Sequence, residues 1–261
     1  MKKIILIALP VLASLVNAQA QKTDTIKITP SLVNTKVLIP GTHRWLVYFK
    51  MGKDSSRSHT QFWTRSIDKR SYQGREAISV TQEWESNDTV VHKVYTVCDA
   101  KTFAPLYHES WTRKFNESSY DFLKKEAFVN GKPITAADAD SNNVKRYKAF
   151  EASFNEYILD WHLDLETFPI LPYQLHTTFA INFYDPGFGG PKWVYYTVTG
   201  TKTINGYDGQ SIDCWILEHT DNDRMKNHEV FYISKKTKEV LKLEQEFGGR
   251  FRYKVKLSFS N

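Results

Sequence analysis

Short runs of aromatic and β-branched residues recur along most of the chain, and turn residues separate them at hairpin-length intervals. Parallel strands would need long, helical crossover connections, which these intervals do not provide. The pattern predicts a mainly β protein with one large antiparallel sheet of about a dozen strands. The predicted strands are Arg44–Met51, His59–Ile67, Glu76–Trp84, Thr89–Cys98, Ala104–Lys114, Tyr120–Val129, Gln174–Tyr184, Trp193–Ile204, Gln210–His219, Glu229–Ser234, Glu239–Phe247 and Phe251–Phe259.

The last predicted hairpin allows a choice of register. A two-residue turn at Gly248-Gly249 pairs Phe247 with Arg250, so apolar residues of one strand lie beside charges of the other. A three-residue loop over 248–250 instead pairs Phe247 with Phe251. Because side chains alternate between the two faces of a strand, the first register is costly when one face is buried. We therefore expect the three-residue loop.

One segment, Ser153 to Phe168, has the apolar spacing of a helix and ends at Pro169. Ser153 and Glu156 have the spacing of a capping box. The apolar positions leave only a narrow polar side, so such a helix must be covered over most of its circumference. We expect the sheet to curve around it as a half-barrel or open barrel, with this one central helix inside.

Three stretches of the chain resemble a family of exported bacterial proteins known as domain of unknown function 3108. They are Asp99–Tyr107, a turn into a strand; the Phe168-Pro169-Ile170-Leu171 segment; and the run Val230–Leu243. The resemblance covers about residues 44–259, although Lys238 replaces the glycine that commonly follows the threonine in such turns. The order of strands, helix and strands is also similar to the half-barrels of the periplasmic lipoprotein carriers. The resemblance implies handling of apolar ligands in the cell envelope and supplies no catalytic residues.

The N-terminus has the features of a secretory signal peptide. Two lysines follow Met1, an apolar run extends from Ile4 to Val16, and Ala18 and Ala20 are spaced as a signal peptidase site. The run is shorter than the roughly 20 residues of a membrane span. We expect a signal peptide over 1–20, an extended leader over 21–40 and a single β-rich domain over 41–261. The protein is then exported to the periplasm of a Gram-negative bacterium, or secreted, and is not an integral membrane protein.

Charge and cysteine content restrict the possible partners. The formal charge of +6, or +4 without Lys2 and Lys3, is spread among acidic residues and does not indicate a nucleic-acid binder. Cys98 and Cys214 lie in strand-like runs, and a disulfide between them could persist in an exported protein. Whether they pair cannot be derived from the sequence, since pairing depends on the distance between them.

No motif indicates catalysis, a metal or a cofactor. Asp160, His162 and Asp164 have the residue types of metal ligands, but on the predicted helix His162 points away from the two aspartates, which favours a solvated helix edge. A polar hairpin tip is likewise the preferred interpretation of the set His219, Asp221, Asp223 and His228. The chain has neither a G-x-S-x-G motif nor a phosphate-binding glycine loop. We predict no catalytic residues, no metal and no cofactor.

The favoured function is non-enzymatic binding of an apolar or amphiphilic, lipid-like ligand between sheet and helix. Aromatic side chains on the helix and adjacent strands are the candidate ligand contacts, and Phe188 is a candidate flap in a glycine-containing loop. One alternative is a structural or interaction protein of the cell envelope that acts through its sheet surface, with an unknown protein partner; a third is an uncharacterised hydrolase. The candidate contacts are Tyr157, Trp161, Phe179, Phe183, Trp193 and Tyr195.

Overall fold

The computed structural model describes residues 24–114, 116–206, 209–221 and 226–258. The predicted signal peptide, Asp223 and the end of the last predicted strand at Phe259 lie outside the described residues. In the described part of the chain, no helix combines the length and the apolar character needed to cross a membrane.

Among the residues that the structure describes, sixteen strands form one large, open, curved sheet, which confirms the predicted fold class. The first nine strands are β1 Asp24–Lys27, β2 Gly41–Lys50, β3 Ser58–Tyr72, β4 Arg75–Ser86, β5 Thr89–Asp99, β6 Pro105–Thr112, β7 Asn116–Asp121, β8 Glu126–Val129 and β9 Lys132–Pro133. The others are β10 Leu159–Asp160, β11 Thr177–Tyr184, β12 Lys192–Asn205, β13 Ser211–Asp221, β14 Asn227–Ser234, β15 Val240–Phe247 and β16 Arg250–Lys256.

The sheet consists of two series of antiparallel strands that meet in its middle. Its order is β1-β11-β12-β13-β14-β15-β16-β2-β3-β4-β5-β6-β7-β8-β9, and the short β10 pairs with β11 outside this path. β1 and β10 pair with β11 in parallel, and the other pairs are antiparallel. β16 joins the two series by pairing with β2 over the register Phe251–Lys50 to Lys256–Trp45.

Tight turns connect the strands where the sequence supplies residues that accept positive φ. Asn87 and Asp88, between β4 and β5, have φ values of 50° and 56°. Asn130 and Gly131, between β8 and β9, have values of 52° and 70°. Such paired positive values match the right-handed twist of the flanking strands, which is why Asn, Asp and Gly occur at these positions.

The prediction of a single helix from Ser153 to Phe168 is wrong. The longest helix, α1, is Ser141–Ala152, and Ser153 follows its end, where its hydroxyl donates to the carbonyl of Phe150 at 2.6 Å. Asp160 then begins a new helical stretch by accepting a hydrogen bond from the backbone N–H of His162 at 2.9 Å. This stretch comprises a 3₁₀ turn at Trp161–Leu163, the short α2 helix at Asp164–Thr167 and a 3₁₀ turn at Phe168–Ile170.

The segment from Leu159 to Leu171, here called the central segment, nevertheless lies inside the curve of the sheet. Phe168 is fully buried, with ring centroids 4.5 Å from Phe231 and 4.8 Å from Tyr196. The pocket between the segment and the sheet beside Trp45 is small, at about 30 Å³. The buried members of the segment are Leu159, Asp160, Leu163, Leu165, Glu166, Thr167, Phe168, Pro169, Ile170 and Leu171.

The predicted three-residue loop in the last hairpin is also wrong. Gly248 and Gly249 form a two-residue turn with φ of 55° and 75°, and Phe247 pairs with Arg250. In this register Lys254 lies opposite Leu243, and both side chains are buried. β16 therefore directs basic residues into the protein, where they pair with acidic residues.

Residues 24–40 pack onto the same sheet. β1 pairs with β11, and Ile28 and Leu38 belong to the main hydrophobic core.

Candidate functional site: a charged and aromatic cleft

Two basic side chains point inward from the sheet and meet two acids of the central segment. Arg65 on β3 is fully buried, with Nη2 2.8 Å from Glu166 Oε2 and Nη1 3.3 Å from Asp164 Oδ1. Lys254 on β16 donates to Asp164 Oδ2 at 2.5 Å. Buried charges require partners, so this four-residue ionic network fixes the central segment against the sheet.

Burial shifts the protonation of this network. It raises the pKa of Glu166 to about 7, although the charge of Arg65 acts in the opposite direction. It lowers the pKa of Lys254 to about 8, although Asp164 opposes the shift. For Asp164 burial acts upward, but the charges of Lys254 and Arg65 outweigh it and hold the pKa below its ordinary value. Glu166 and Lys254 therefore change protonation near neutral pH.

Aromatic rings form a ladder across β3, β4 and β5. Trp63 and Trp84 face each other in the register of β3 and β4, and their rings stack with centroids 3.9 Å apart and 8° between planes. Trp84 also stacks on its partner His92 at 4.3 Å. Lys254 Nζ lies 4.7 Å from the Trp63 ring centroid, within the range of a cation–π interaction. The ladder is therefore a stack of three aromatic rings with a cation at one end.

A buried histidine–aspartate pair lies beside this ladder. His108 Nδ1 is 2.7 Å from Asp160 Oδ2, and Thr96 Oγ1 is 3.0 Å from the same ring nitrogen. Burial alone would raise the pKa of Asp160, but His108 and His162 outweigh it and hold that pKa well below its usual range. Asp160 therefore binds the His108 ring through one oxygen and caps the central segment through the other.

His162 is the residue that joins this pair to the ladder. Its ring centroid is 4.8 Å from that of His108 and 5.7 Å from that of His92. Burial lowers its pKa, but the carboxylates of Asp160 and Asp185 act more strongly together, and the pKa ends above its ordinary value. For His92, burial and then the two neighbouring histidines lower the pKa to about 3.

The ladder and the ionic network border a cleft of about 360 Å³. Of its cations, Lys192 is exposed and Arg252 is partly exposed, so both are accessible from solvent. The cleft is lined by Trp63, Arg65, Trp84, Trp161, His162, Asp164, Asp185, Lys192, Arg252 and Lys254.

The six predicted ligand contacts do not line one space. Phe179 and Phe183 are fully buried in the main core. Tyr157 is partly buried and donates a hydrogen bond to the carbonyl of Thr102. Trp161 is the member that lines the cleft, and its ring stacks on Phe183 at 5.3 Å.

The remaining predicted contacts lie elsewhere. Trp193 is partly buried beneath Lys27, whose Nζ is 4.3 Å from the ring centroid. Tyr195 is 53% exposed, because the neighbouring positions of β12, and not its own, face the core. Phe188, the candidate flap, is 60% exposed, and its ring centroid lies 6.1 Å from that of His162.

The possible disulfide does not form. Cys98 and Cys214 are free, fully buried thiols. Cys98 belongs to the main core and Cys214 to a separate cluster with Tyr232 and Leu241. Burial raises the pKa of Cys214 to about 11 and that of Cys98 as well, so both thiols are protonated at neutral pH.

The expected solvated edge at Asp160, His162 and Asp164 is corrected by the structure. Asp160 is 1% exposed, and a 3₁₀ turn replaces the helix on which His162 was expected to point away. In the second polar set, His219 Nδ1 lies 2.8 Å from the carbonyl of Tyr195, and His228 Nε2 lies 3.2 Å from Glu218.

Sequence reasoning missed most of the cleft. Lys254 alternates with apolar residues of the last predicted strand, so it was expected to face solvent, and no prediction was made for Arg65. His92 and His108 gave no signal, because the residues they meet are distant in the chain. A usable indication was present in Trp63 and Trp84, which occur one in each of two consecutive predicted strands.

Fold and site together define a half-barrel protein whose open, curved sheet holds an apolar segment and borders a charged, aromatic cleft. The family model described as "Protein of unknown function (DUF3108)" matches residues 44–256. The chain belongs to this family.

Other comparisons give more distant similarities. One solved structure is a beta-barrel-like protein of domain of unknown function DUF1849 from Brucella abortus, with 8% identity, a TM-score of 0.42 and coverage of 84% of this chain and 98% of that one. Another is a DUF1329 family protein from Desulfovibrio piger, with 12% identity, a TM-score of 0.31 and coverage of 86% and 90%. No curated protein matches the chain.

Proposed function

We propose that this chain is an exported, non-enzymatic binding protein whose cleft takes an amphiphilic ligand with an anionic group. The observation that carries the proposal is an aromatic surface bordered by accessible cations. Lys192 Nζ lies 4.6 Å from the Trp161 ring centroid, and Arg252 lines the same cleft as Trp63 and Trp84.

The two parts of such a ligand match two parts of the cleft. The indole rings that line the cleft offer apolar surface at their edges, which favours a hydrocarbon group. Lys192 and Arg252 offer N–H donors and positive charge, which favour a carboxylate, sulfate or phosphate.

The cleft is a better place for the ligand than the interior. Between the central segment and the sheet, the side chains of Phe168, Phe183 and Tyr196 are fully buried and in contact with one another. A lipid chain inserted there would have to displace this core. The cleft of about 360 Å³ is within the size range of small-molecule sites.

Binding can be measured by quenching of tryptophan fluorescence with a brominated dodecanoate. We expect saturable quenching, because bromine would lie against Trp63, Trp84 or Trp161. The uncharged brominated dodecanol should bind more weakly, since it cannot pair with the cations. Lack of saturable quenching by the acid would contradict the proposal.

A pair of lysines on β12 provides a matched control. Lys192→Gln removes a cation over Trp161 in the cleft, and we expect about a fivefold loss of affinity, corresponding to about 1 kcal/mol for an exposed pair. Lys202→Gln removes a cation over Tyr232, whose centroid lies 5.7 Å from Lys202 Nζ outside the cleft. This variant should bind like the wild type, and equal losses in both variants would argue against the cleft.

Export is tested separately. The N-terminal pattern of lysines, apolar run and Ala18-x-Ala20 supports cleavage near residue 20. N-terminal sequencing of protein recovered from the periplasmic fraction should begin near Gln21. Recovery of the full-length chain from the cytoplasm alone would contradict export.

A further inference from the structure

At the wall of the cleft, three side chains with metal-ligand chemistry lie close together, and a fourth lies beside one of them. His108, Asp160 and His162 each present a ligand-type atom within 4.8 Å of those of the other two. His162 Nδ1 is also 3.2 Å from Asp185 Oδ1 and 3.5 Å from Asp160 Oδ1. Two ligands of one tetrahedral zinc ion are roughly 3.3 Å apart, given bond lengths of about 2.0–2.1 Å.

A second observation points to a missing partner. The His162 side chain is only 7% exposed, yet its Nδ1 has no hydrogen bond in the described part of the chain, even though two carboxylates surround it. His108 Nε2 is likewise buried without a partner. Buried polar atoms are normally satisfied, so the unpartnered Nδ1 of His162 between two carboxylates indicates a site for a cation.

We propose that His108, Asp160, His162 and Asp185 form a binding site for a divalent transition-metal ion of the zinc class. Imidazole nitrogens with carboxylates suit zinc and its neighbours, whereas calcium and magnesium prefer oxygen ligands alone. The proposal is independent of the amphiphilic ligand, since none of these four residues is among the indole rings and cations proposed to bind it.

The surrounding structure holds these ligands in place. Asp160 is fixed by its cap on the central segment and by its contact with His108, whose Nδ1 is also 3.0 Å from Thr96 Oγ1. Restraints of this kind keep ligand rings oriented in metal sites. Asp185 begins the β11–β12 loop and is 37% exposed, and both it and His162 line the cleft. An ion can therefore enter from the cleft.

The test is titration of the chelator-treated full-length mature protein with ZnCl₂ in a calorimeter. We expect one ion per chain. Titration with CoCl₂ should give a visible absorption spectrum typical of cobalt in a tetrahedral nitrogen and oxygen site. Absence of both signals, which leaves only a hydrogen-bonded His108–Asp160 pair, would overturn the proposal.

Variants locate the ion. Asp185→Asn changes a partly exposed loop residue and should leave the fold intact, while His162→Gln removes the central nitrogen. Each should weaken zinc binding at least about tenfold, the lower end of what even an outer-shell change costs. His228→Gln is the matched control, because His228 pairs with Glu218 at 3.2 Å on β14 and β13. Loss of binding in His228→Gln, with normal binding in Asp185→Asn, would place the ion elsewhere and overturn the proposal.

The outcomes for the two proposals are separable. Zinc binding is measured without amphiphile, and quenching by the brominated acid is measured in chelator. If the protein fails to bind zinc, the proposal for the amphiphilic ligand is unaffected, and the converse also holds.

Discussion

Lys254 Nζ and Asp164 Oδ2 lie 2.5 Å apart inside the protein, where they connect the last hairpin to the central segment. Replacement of Lys254 by Met should lower the free energy of unfolding by about 3 kcal/mol, because Asp164 then loses its closest ion pair inside the protein. Urea denaturation measures the change. Arg250→Met, at an exposed position of the same strand, should change it by no more than about 0.5 kcal/mol. Equal stability of Lys254→Met and the wild type would show that this pair does not hold the segment.

Glu166 makes stability depend on pH. Its pKa rises from 4.5 to about 7 on folding, so its contribution is complete below pH 4.5 and is lost as the pH rises through 7. Glu166→Gln cannot titrate. From pH 5 to pH 8 the wild type should therefore lose stability relative to this variant, by something on the order of 2–3 kcal/mol. Chemical denaturation of both proteins at the two pH values gives this difference, and a difference that does not vary with pH would contradict the prediction.

The central segment should depend on Phe168. Phe168→Ala removes a fully buried ring that contacts Phe231 and Tyr196, and we expect a loss of about 3–5 kcal/mol. Phe188→Ala makes the same chemical change at a side chain that is 60% exposed, and its effect should stay within about 0.5 kcal/mol. Thermal unfolding of the two variants measures both effects. Similar losses for both would mean that Phe168 is not in the core.

The two-residue turn of the last hairpin should tolerate asparagine at its first position. Gly248 has φ of 55°, which asparagine accepts, and Asn-Gly is the preferred pair for such a turn. Gly248→Asn should stabilise the protein by about 0.4–1 kcal/mol, because the unfolded chain loses freedom. Gly248→Val should destabilise it, since a β-branched residue fits this φ poorly. A more stable valine variant would indicate a different turn.

The sheet could be predicted from the sequence because its signals are local. Apolar alternation and paired turn residues such as Asn130-Gly131 act within a few positions of each other. Twelve strands were expected, and the predicted strands differ from the observed ones mainly where the observed strands are short or interrupted. The predicted strand Tyr120–Val129, for instance, is divided between β7 and β8 by a turn.

The start of the helix was predicted wrongly because two residues are suitable N-terminal caps. Both Ser153 and Asp160 are suitable first residues, and the apolar spacing continues past both. The choice depends on contacts outside the segment, since Asp160 also binds His108 on β6. That contact joins residues 52 positions apart and cannot be seen in local spacing.

The orientation of β16 could not be predicted for a related reason. Alternation shows that its residues divide between two faces, but it does not show which face is inside. Lys254 and Lys256 face inward because Asp164 and Glu239 lie within 2.7 Å of their Nζ atoms. The assumption that charged residues face water therefore gave the wrong register for the last hairpin. For the same reason, most residues of the cleft were not predicted.

The position of β16 in the sheet has a consequence for biosynthesis. On the ribosome, a nascent chain that ends before Arg250 already contains β2–β9 and β11–β15, but it lacks the strand that hydrogen-bonds one series to the other. Asp164 in that chain has no Lys254, and the edges of β2 and β15 are open to pairing with other chains. The two series can join only when these last seven residues of the sheet are available, and until then both open edges are exposed to pairing with other chains.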